Sequence, residues 1–359
     1  MRIFFSLRFS ALFLHLFAYA CLAGVLSASE LPSFNFEDDF ENHVPGPIAE
    51  KSGAWHVDGT GSAFIAADVE GGSSQALLLS NELGQLSSVT LLLESGFELV
   101  AWTDFEARLA PYASDEPPPK VPADVNICFY LSSDGDLHVY DGSAWRCFQT
   151  GFDATLPHRF TIRRDYLMRI WNIWVDGEPL ETPNPALAFN SASTQNASTL
   201  FRILASEQQS VWLDDVEFRR TAPEDIVGIG RYSDWRDAID WEPTDDPNPG
   251  GDPNANGWIN LMEYFFNLPN PSGPAPTYAP HFRLGPGFDV VQFSFRRNLD
   301  AEDLEWRLMG SSDLEEWEPL VLEESAVQVS PIDPHTQEIT ISVPMESDAA
   351  FFAIDVVQP

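Results

Sequence analysis

Residues 124–149 run DVNICFYLSSDGDLHVYDGSAWRCFQ. Three short runs rich in β-branched and aromatic side chains (124–131, 137–140 and 144–149) are separated by the turn clusters SSDGD at 132–136 and DG at 141–142. Asp-Gly supplies the positive φ that a tight hairpin requires, so the stretch predicts a three-stranded meander. The same grammar extends in both directions. Runs at 75–79 (QALLL), 88–93 and 98–108 precede it. Runs at 158–164, 169–175 (closed by Asp176-Gly177), 199–205 and 211–219 follow it. No long helical period interrupts them. Residues 29–221 are therefore expected to form one all-β domain, large enough to bury a core of its own.

Beyond residue 221 the composition shifts. Residues 232–241 (YSDWRDAIDW) have helical spacing, with Trp235, Ala238 and Ile239 on one face. Next comes DPNANGWINLME at 252–263, which meets the pattern D-x-[DN]-x-[DN]-G-x5-E at every specified position. The spacing has a chemical reason. Asp252, Asn254 and Asn256 bring oxygens to loop positions one, three and five, and Gly257 permits the sharp turn. Trp258 offers its backbone carbonyl, Asn260 falls where a water-bridged ligand sits, and Glu263 closes the shell with both oxygens. With only Asp252 and Glu263 charged, the loop predicts a weak, structural calcium clip rather than a sensor. A helix over 259–267 would carry Leu261, Met262, Phe265 and Phe266 onto a neighbour. The Pro-rich stretch 269–280 reads as a stiff spacer. Residues 281–359 return to strand spacing, with Val291, Phe293 and Phe295 facing one side and Val290, Gln292, Ser294 and Arg296 the other.

The first 28 residues read as a targeting segment. Arg2 and Arg8 begin it, an apolar stretch follows, and Leu26-Ser-Ala28 ends it in small residues. Export to the exterior or the cell surface is expected, with no membrane span in the mature chain. The formal charge of −36, from 19 basic and 55 acidic residues, removes nucleic acid from the expected partners.

Phe36-Glu-Asp-Asp-Phe-Glu41, Arg169-Ile-Trp-Asn-Ile-Trp-Val-Asp-Gly177 and Trp212-Leu-Asp-Asp-Val-Glu-Phe218 resemble the concanavalin A-like, laminin-G-like jelly rolls of lectins, carbohydrate-binding modules and secreted glycanases. The resemblance implies a two-sheet jelly roll whose first and last strands lie side by side. It also implies a second metal held by Glu37, Asp39 and Asp215, although the same residues read equally well as edge-strand charges. Residues 232–268 resemble a connector of secreted multi-module bacterial proteins and the loops of thrombospondin type 3, dockerin and EF-hand domains. One loop rather than a duplicated pair argues against cohesin binding. The run EWRLMGSSDLEEWEPL at 305–320 resembles the immunoglobulin-like module that follows such connectors. The domain plan is thus a leader (1–28), a jelly roll (29–221), a calcium-loop connector with its spacer (222–280) and a small β-sandwich (281–359).

Cys128 and Cys147 suggest a disulfide in an exported chain, or else two buried thiols on neighbouring strands. Their separation and lack of His neighbours do not read as a metal site. Trp145, beside the Asp141-Gly142 turn, is the aromatic expected to face solvent. Trp171 and Trp174 project to opposite sides of one strand, so both cannot belong to one core face, and one of them is expected to be exposed or tucked under a loop. Either Trp145 or Trp171 could stack on a sugar ring. No nucleophile elbow, zincin, phosphate-loop or dinucleotide motif occurs. The expectation is a non-enzymatic protein that binds polysaccharide or a cell-surface glycan. The alternatives are a structural or matrix protein without a glycan ligand and a diverged glycoside hydrolase or lyase.

Overall fold

The structure is a computed structural model that describes residues 2–6, 36–48, 55–59, 62–67, 75–80, 87–92, 100–112, 117–121, 125–153, 155–166, 168–180, 187–190, 200–205, 210–268, 280–285, 290–322, 324–344 and 351–358. The apolar part of the expected leader, the expected cleavage site and the Pro-rich stretch at 269–279 lie outside these. The chain divides into two compact units, 32–228 and 229–359, the latter together with residues 1–31.

The first unit is all β and antiparallel. Its large sheet runs Glu178–Pro179, Ile170–Val175, His158–Asp165, Val100–Arg108, Ser210–Arg219, Gln75–Ser80, Ser62–Ala67 and Gly46–Pro47. Phe36–Asp38 pairs with Ser210–Arg219, so the first and last strands of the unit are neighbours, as the jelly-roll resemblance implies. Two three-stranded sheets accompany it: Trp55–Gly59, Ser87–Leu92 and Leu200–Ala205, and the meander Phe129–Leu131, Leu137–Tyr140 and Trp145–Gln149. All three sheets feed one core. Phe105, Phe160, Trp171 and Leu213 of the large sheet meet Trp55 of the second sheet and Leu137 and Val139 of the meander. That interior is the main source of stability for a sandwich of this kind, at roughly 25 cal/mol per Å2 of apolar area buried.

The predicted alternation of Trp171 and Trp174 is present, but both rings are buried. Trp171 lies in the core. Trp174 faces the other side of the sheet, where Trp102 packs on it at 5.3 Å and the Val227 carbonyl accepts its indole N–H at 2.8 Å. Segment 221–228 returns over the outer face of the sheet, a long-range event that strand periodicity does not encode. Trp171 is therefore not a sugar platform.

In the second unit, Asn260–Phe265 is helical and every one of its side chains is buried. Phe265 stacks near Phe295 at 6.1 Å, the Tyr264 hydroxyl donates to the Asp300 carbonyl at 2.8 Å, and the Asn298 amide donates back to the Tyr264 carbonyl at 3.1 Å. The short helix Tyr232–Asp237 is tied to the same sandwich by the Tyr232 N–H donating to Asp303. The loop helix is thus embedded in the C-terminal sandwich. That sandwich comprises two four-stranded antiparallel sheets. One runs His281–Leu284, Val290–Asn298, Thr336–Pro344 and Val327–Asp333; the other runs Arg2–Ser6, Phe351–Val357, Glu305–Ser311 and Glu318–Pro319. Trp306 against Phe295 (5.0 Å) and Phe352 against Phe282 (6.3 Å) join them. No helix among the described residues is long and apolar enough to cross a membrane.

Candidate functional site

The meander presents two unlike faces because side chains alternate along a strand. Leu131, Leu137 and Val139 turn inward. Tyr130, His138, Tyr140, Trp145 and Cys147 are carried outward by the pairings Tyr130↔His138, Tyr140↔Trp145 and His138↔Cys147. Asp141 sets the hairpin between the last two strands. Its carboxylate accepts the Ser143 and Ala144 N–H groups at 2.9 and 2.8 Å and the Arg146 guanidinium at 2.8 Å. Burial opposes ionisation there, yet these hydrogen bonds hold the carboxyl well below the usual range. Gly142 has φ +90°, and a Cβ in its place would meet the Phe189 carbonyl at 2.8 Å.

The outward residues form an aromatic surface. Trp145 meets Tyr130 edge-on at 4.8 Å and Tyr140 at 5.5 Å, and Tyr112 packs on Tyr130 at 5.4 Å. The Trp145 indole N–H donates to the Pro119 carbonyl at 3.0 Å, which fixes the ring while leaving it only half-buried. Trp145 is thus placed where the turn chemistry put it. Tyr130 and Tyr140 were missed, although both sit at alternate positions of predicted strands. No disulfide joins Cys128 to Cys147. The strand Leu137–Tyr140 lies between theirs, so they are two strand spacings apart, about 9–10 Å, beyond what a disulfide spans. Nor are they a buried pair, since Cys147 is exposed. Burial pushes the Cys128 thiol up to about 11.

The outer face of the large sheet carries a second feature, an acidic cleft of about 540 Å3. Eight carboxylates line it (Glu37, Asp39, Asp104, Glu106, Asp215, Glu217, Glu224 and Asp225) against two arginines, Arg159 and Arg219. A β-bulge creates part of this density. The register shifts between Asp214 and Glu217, and Asp215 takes φ +47°, so one extra residue turns toward the outer side. Arg159 bridges Asp104 (3.0 Å) and Asp225 (3.0 Å), and Thr161 adds a 2.7 Å hydrogen bond to Asp104. The rest of the charge is poorly balanced. Burial, then Asp39 and other carboxylates, raises Asp215; burial, then Asp215, raises Glu106. Burial pushes Asp214, whose carboxylate accepts the Asp215 N–H, up to about 7. The structure brings Glu37, Asp39 and Asp215 into this one cleft, but their oxygens do not gather as a set within 4.8 Å. Asp38 between them turns inward to accept the Trp55 indole N–H at 2.8 Å.

In the second unit, loop 252–263 curls on itself. Ala255 and Gly257 have φ +53° and +86°. Asp252 accepts the N–H groups of Asn256 and Gly257 at 3.1 and 3.0 Å, and Asn256 accepts that of Trp258 at 2.6 Å. Asn256 and Asn254 donate their amides to Glu263 Oε1 at 2.8 and 3.4 Å, which brings these three side chains together. Trp258 packs its ring on Phe266 at 5.3 Å. Glu263 is 1% exposed, and its second oxygen has no hydrogen-bond partner among the described residues. Such burial raises its pKa. A buried carboxylate with an orphaned oxygen, close enough to Asp252 to feel its charge, fits a hard cation once the Asn254 and Asn256 amides turn their oxygens inward. Asn260 keeps its side-chain oxygen without a hydrogen-bond partner among the described residues. Its amide donates to the carbonyls of Asp246 and Asn248 at 2.7 and 2.9 Å, so it anchors the preceding loop.

No family model matches the chain, and no curated protein matches it. Solved structures with similar architecture are carbohydrate-binding modules and glycoside hydrolase domains. A sialidase is 11% identical with a TM-score of 0.33, over 54% of this chain and 20% of the other, so the chain spans about a fifth of that protein. The CBM22-1 xylan-binding domain from Paenibacillus barcinonensis Xyn10C is 12% identical with a TM-score of 0.25, over 51% of this chain and 92% of the domain. The carbohydrate recognition domain of Emp46p is 9% identical with a TM-score of 0.30, over 51% and 94%.

Proposed function

We propose that this chain is an exported, non-enzymatic glycan-binding protein whose ligand stacks on the outer face of the meander at Tyr130, Tyr140 and Trp145. The observation that carries this reading is the half-buried Trp145 held between two tyrosines on an open sheet face. Flat amphipathic rings fixed in advance bind a pyranose with little loss of side-chain freedom. The net charge of −36 disfavours uronate-rich or sulfated chains and selects neutral polysaccharide. In this reading Asp252, Asn254, Asn256, the Trp258 carbonyl and Glu263 hold a structural calcium that fixes the loop. Removal of residues 1–28 on export would take away Arg2–Ser6 and uncover that edge of the strand Phe351–Val357.

A second reading is favoured by the cleft. Glu106 and Asp215, both raised above the usual carboxylate range chiefly by burial, are the carboxylate types a glycoside hydrolase uses as acid and base. One experiment separates the two. The full mature chain is screened on immobilised glycans with calcium and with chelator, and released reducing ends are assayed on every glycan retained. Retention of a neutral polysaccharide without new reducing ends is the expected result. Reducing-end release would transfer the function to the cleft, and a blank screen with folded protein would overturn the glycan-binding reading.

A further inference from the structure

We propose that Asp136, His138 and Cys147 form a site for a zinc-class divalent cation on the outer side of the meander. One ligand atom from each lies within 4.8 Å of the other two, and among the described residues this is the one group of three His, Cys, Asp or Glu side chains so arranged. The hairpin register is the cause. His138 pairs directly with Cys147, and Asp136 precedes His138 by two residues, the period that returns a side chain to the same face. Sequence spacing hid this because Cys147 reaches His138 across strands, not along the chain.

The donor set identifies the metal. A thiolate, an imidazole and a carboxylate suit a borderline-soft ion, whereas calcium takes oxygen alone. Tetrahedral zinc with bonds of about 2.0–2.3 Å spaces its ligands roughly 3.3–3.8 Å apart, so an ångström or so of side-chain rotation closes the group. The parts that orient a ligand are present. Tyr130 lies parallel to the His138 ring at 4.7 Å and 4°, and Ser132 Oγ accepts the Asp136 N–H at 3.1 Å. Neither the Asp136 carboxylate nor the His138 ring nitrogens hydrogen-bond to another described residue. Two anionic ligands neutralise the ion, and binding releases the Cys147 thiol proton to solvent. Three protein ligands leave a fourth position open.

The test uses the full chain, stripped with chelator and titrated with cobalt(II) as a coloured zinc surrogate. A thiolate-to-cobalt charge-transfer band saturating at one equivalent and displaced by zinc is expected. Cys147→Ser should abolish the band, and His138→Ala should weaken cobalt binding about tenfold or more. In a Cys128→Ser background, zinc should slow maleimide alkylation of Cys147 by about tenfold or more. Absence of the band, its persistence in Cys147→Ser, or alkylation indifferent to zinc would each overturn the site. Cys147 is exposed, so its serine variant keeps the fold.

Discussion

In 10 mM calcium the connector loop of the parent protein should be cleaved by protease roughly 10- to 100-fold more slowly than in chelator, and Glu263→Gln or Asp252→Ala should erase the difference. The magnitude follows from the donor set. Two formal charges put the affinity at about 10−4 to 10−3 M, and ligand at 10 to 100 times its dissociation constant stabilises the closed loop by about 1.4–2.7 kcal/mol. Without the ion, Glu263 keeps a buried carboxylate whose second oxygen has no described partner, which weakens the loop. Glutamine removes that charge, so the variant should match or exceed the parent in chelator while losing the calcium response. Equal cleavage of the parent with and without calcium would dismiss the clip.

The second large effect is a pH dependence centred on Asp214. Its folded pKa is pushed up to about 7 by burial, from an ordinary value of 3.8. A raised carboxyl binds a proton more tightly folded than unfolded. Its contribution is therefore complete below about pH 4 and lost as pH rises through 7. At about 1.4 kcal/mol per pH unit the loss reaches at most about 4 kcal/mol. Glu106 and Asp215, raised in the same direction, add to it. Asp214→Asn should then leave stability at pH 4 nearly unchanged and raise the unfolding temperature at pH 8 by several degrees, at about 2–4 °C per kcal/mol for a unit of this size. Calorimetry in chelator at both pH values is the check. An asparagine variant no more stable than the parent at pH 8 would place the destabilising charge among the neighbouring cleft carboxylates.

What the sequence discloses, and what it withholds, follows physical lines. The meander was legible because its turns are local: Asp141 caps its own hairpin, and Gly142 takes the φ that a turn needs. The loop at 252–263 was legible for the same reason, its ligands being one short run. Strand period put Trp171 and Trp174 on opposite faces but did not say which of them the core takes, nor that Trp174 is covered by residues about fifty positions away. The bulge at Asp215 left no signal, since an aspartate at positive φ inside a strand looks like any other strand residue. Cross-strand register, which separates Cys128 from Cys147 and joins Cys147 to His138, cannot be read from composition or period. The Asn260 amide also serves the carbonyls behind the loop, a contact the loop pattern does not encode.

The measurement that bears most directly on the glycan-binding claim is titration of parent and Trp145→Ala protein, by calorimetry or affinity electrophoresis, with the neutral polysaccharide that the screen retains. Trp145 projects from the sheet surface and is only half-buried, so alanine spares the core. Loss of about 1.4–2.7 kcal/mol, roughly 10- to 100-fold in affinity, with an unchanged unfolding temperature is the predicted result. Parent-like binding by Trp145→Ala would contradict the account and move the ligand off the meander.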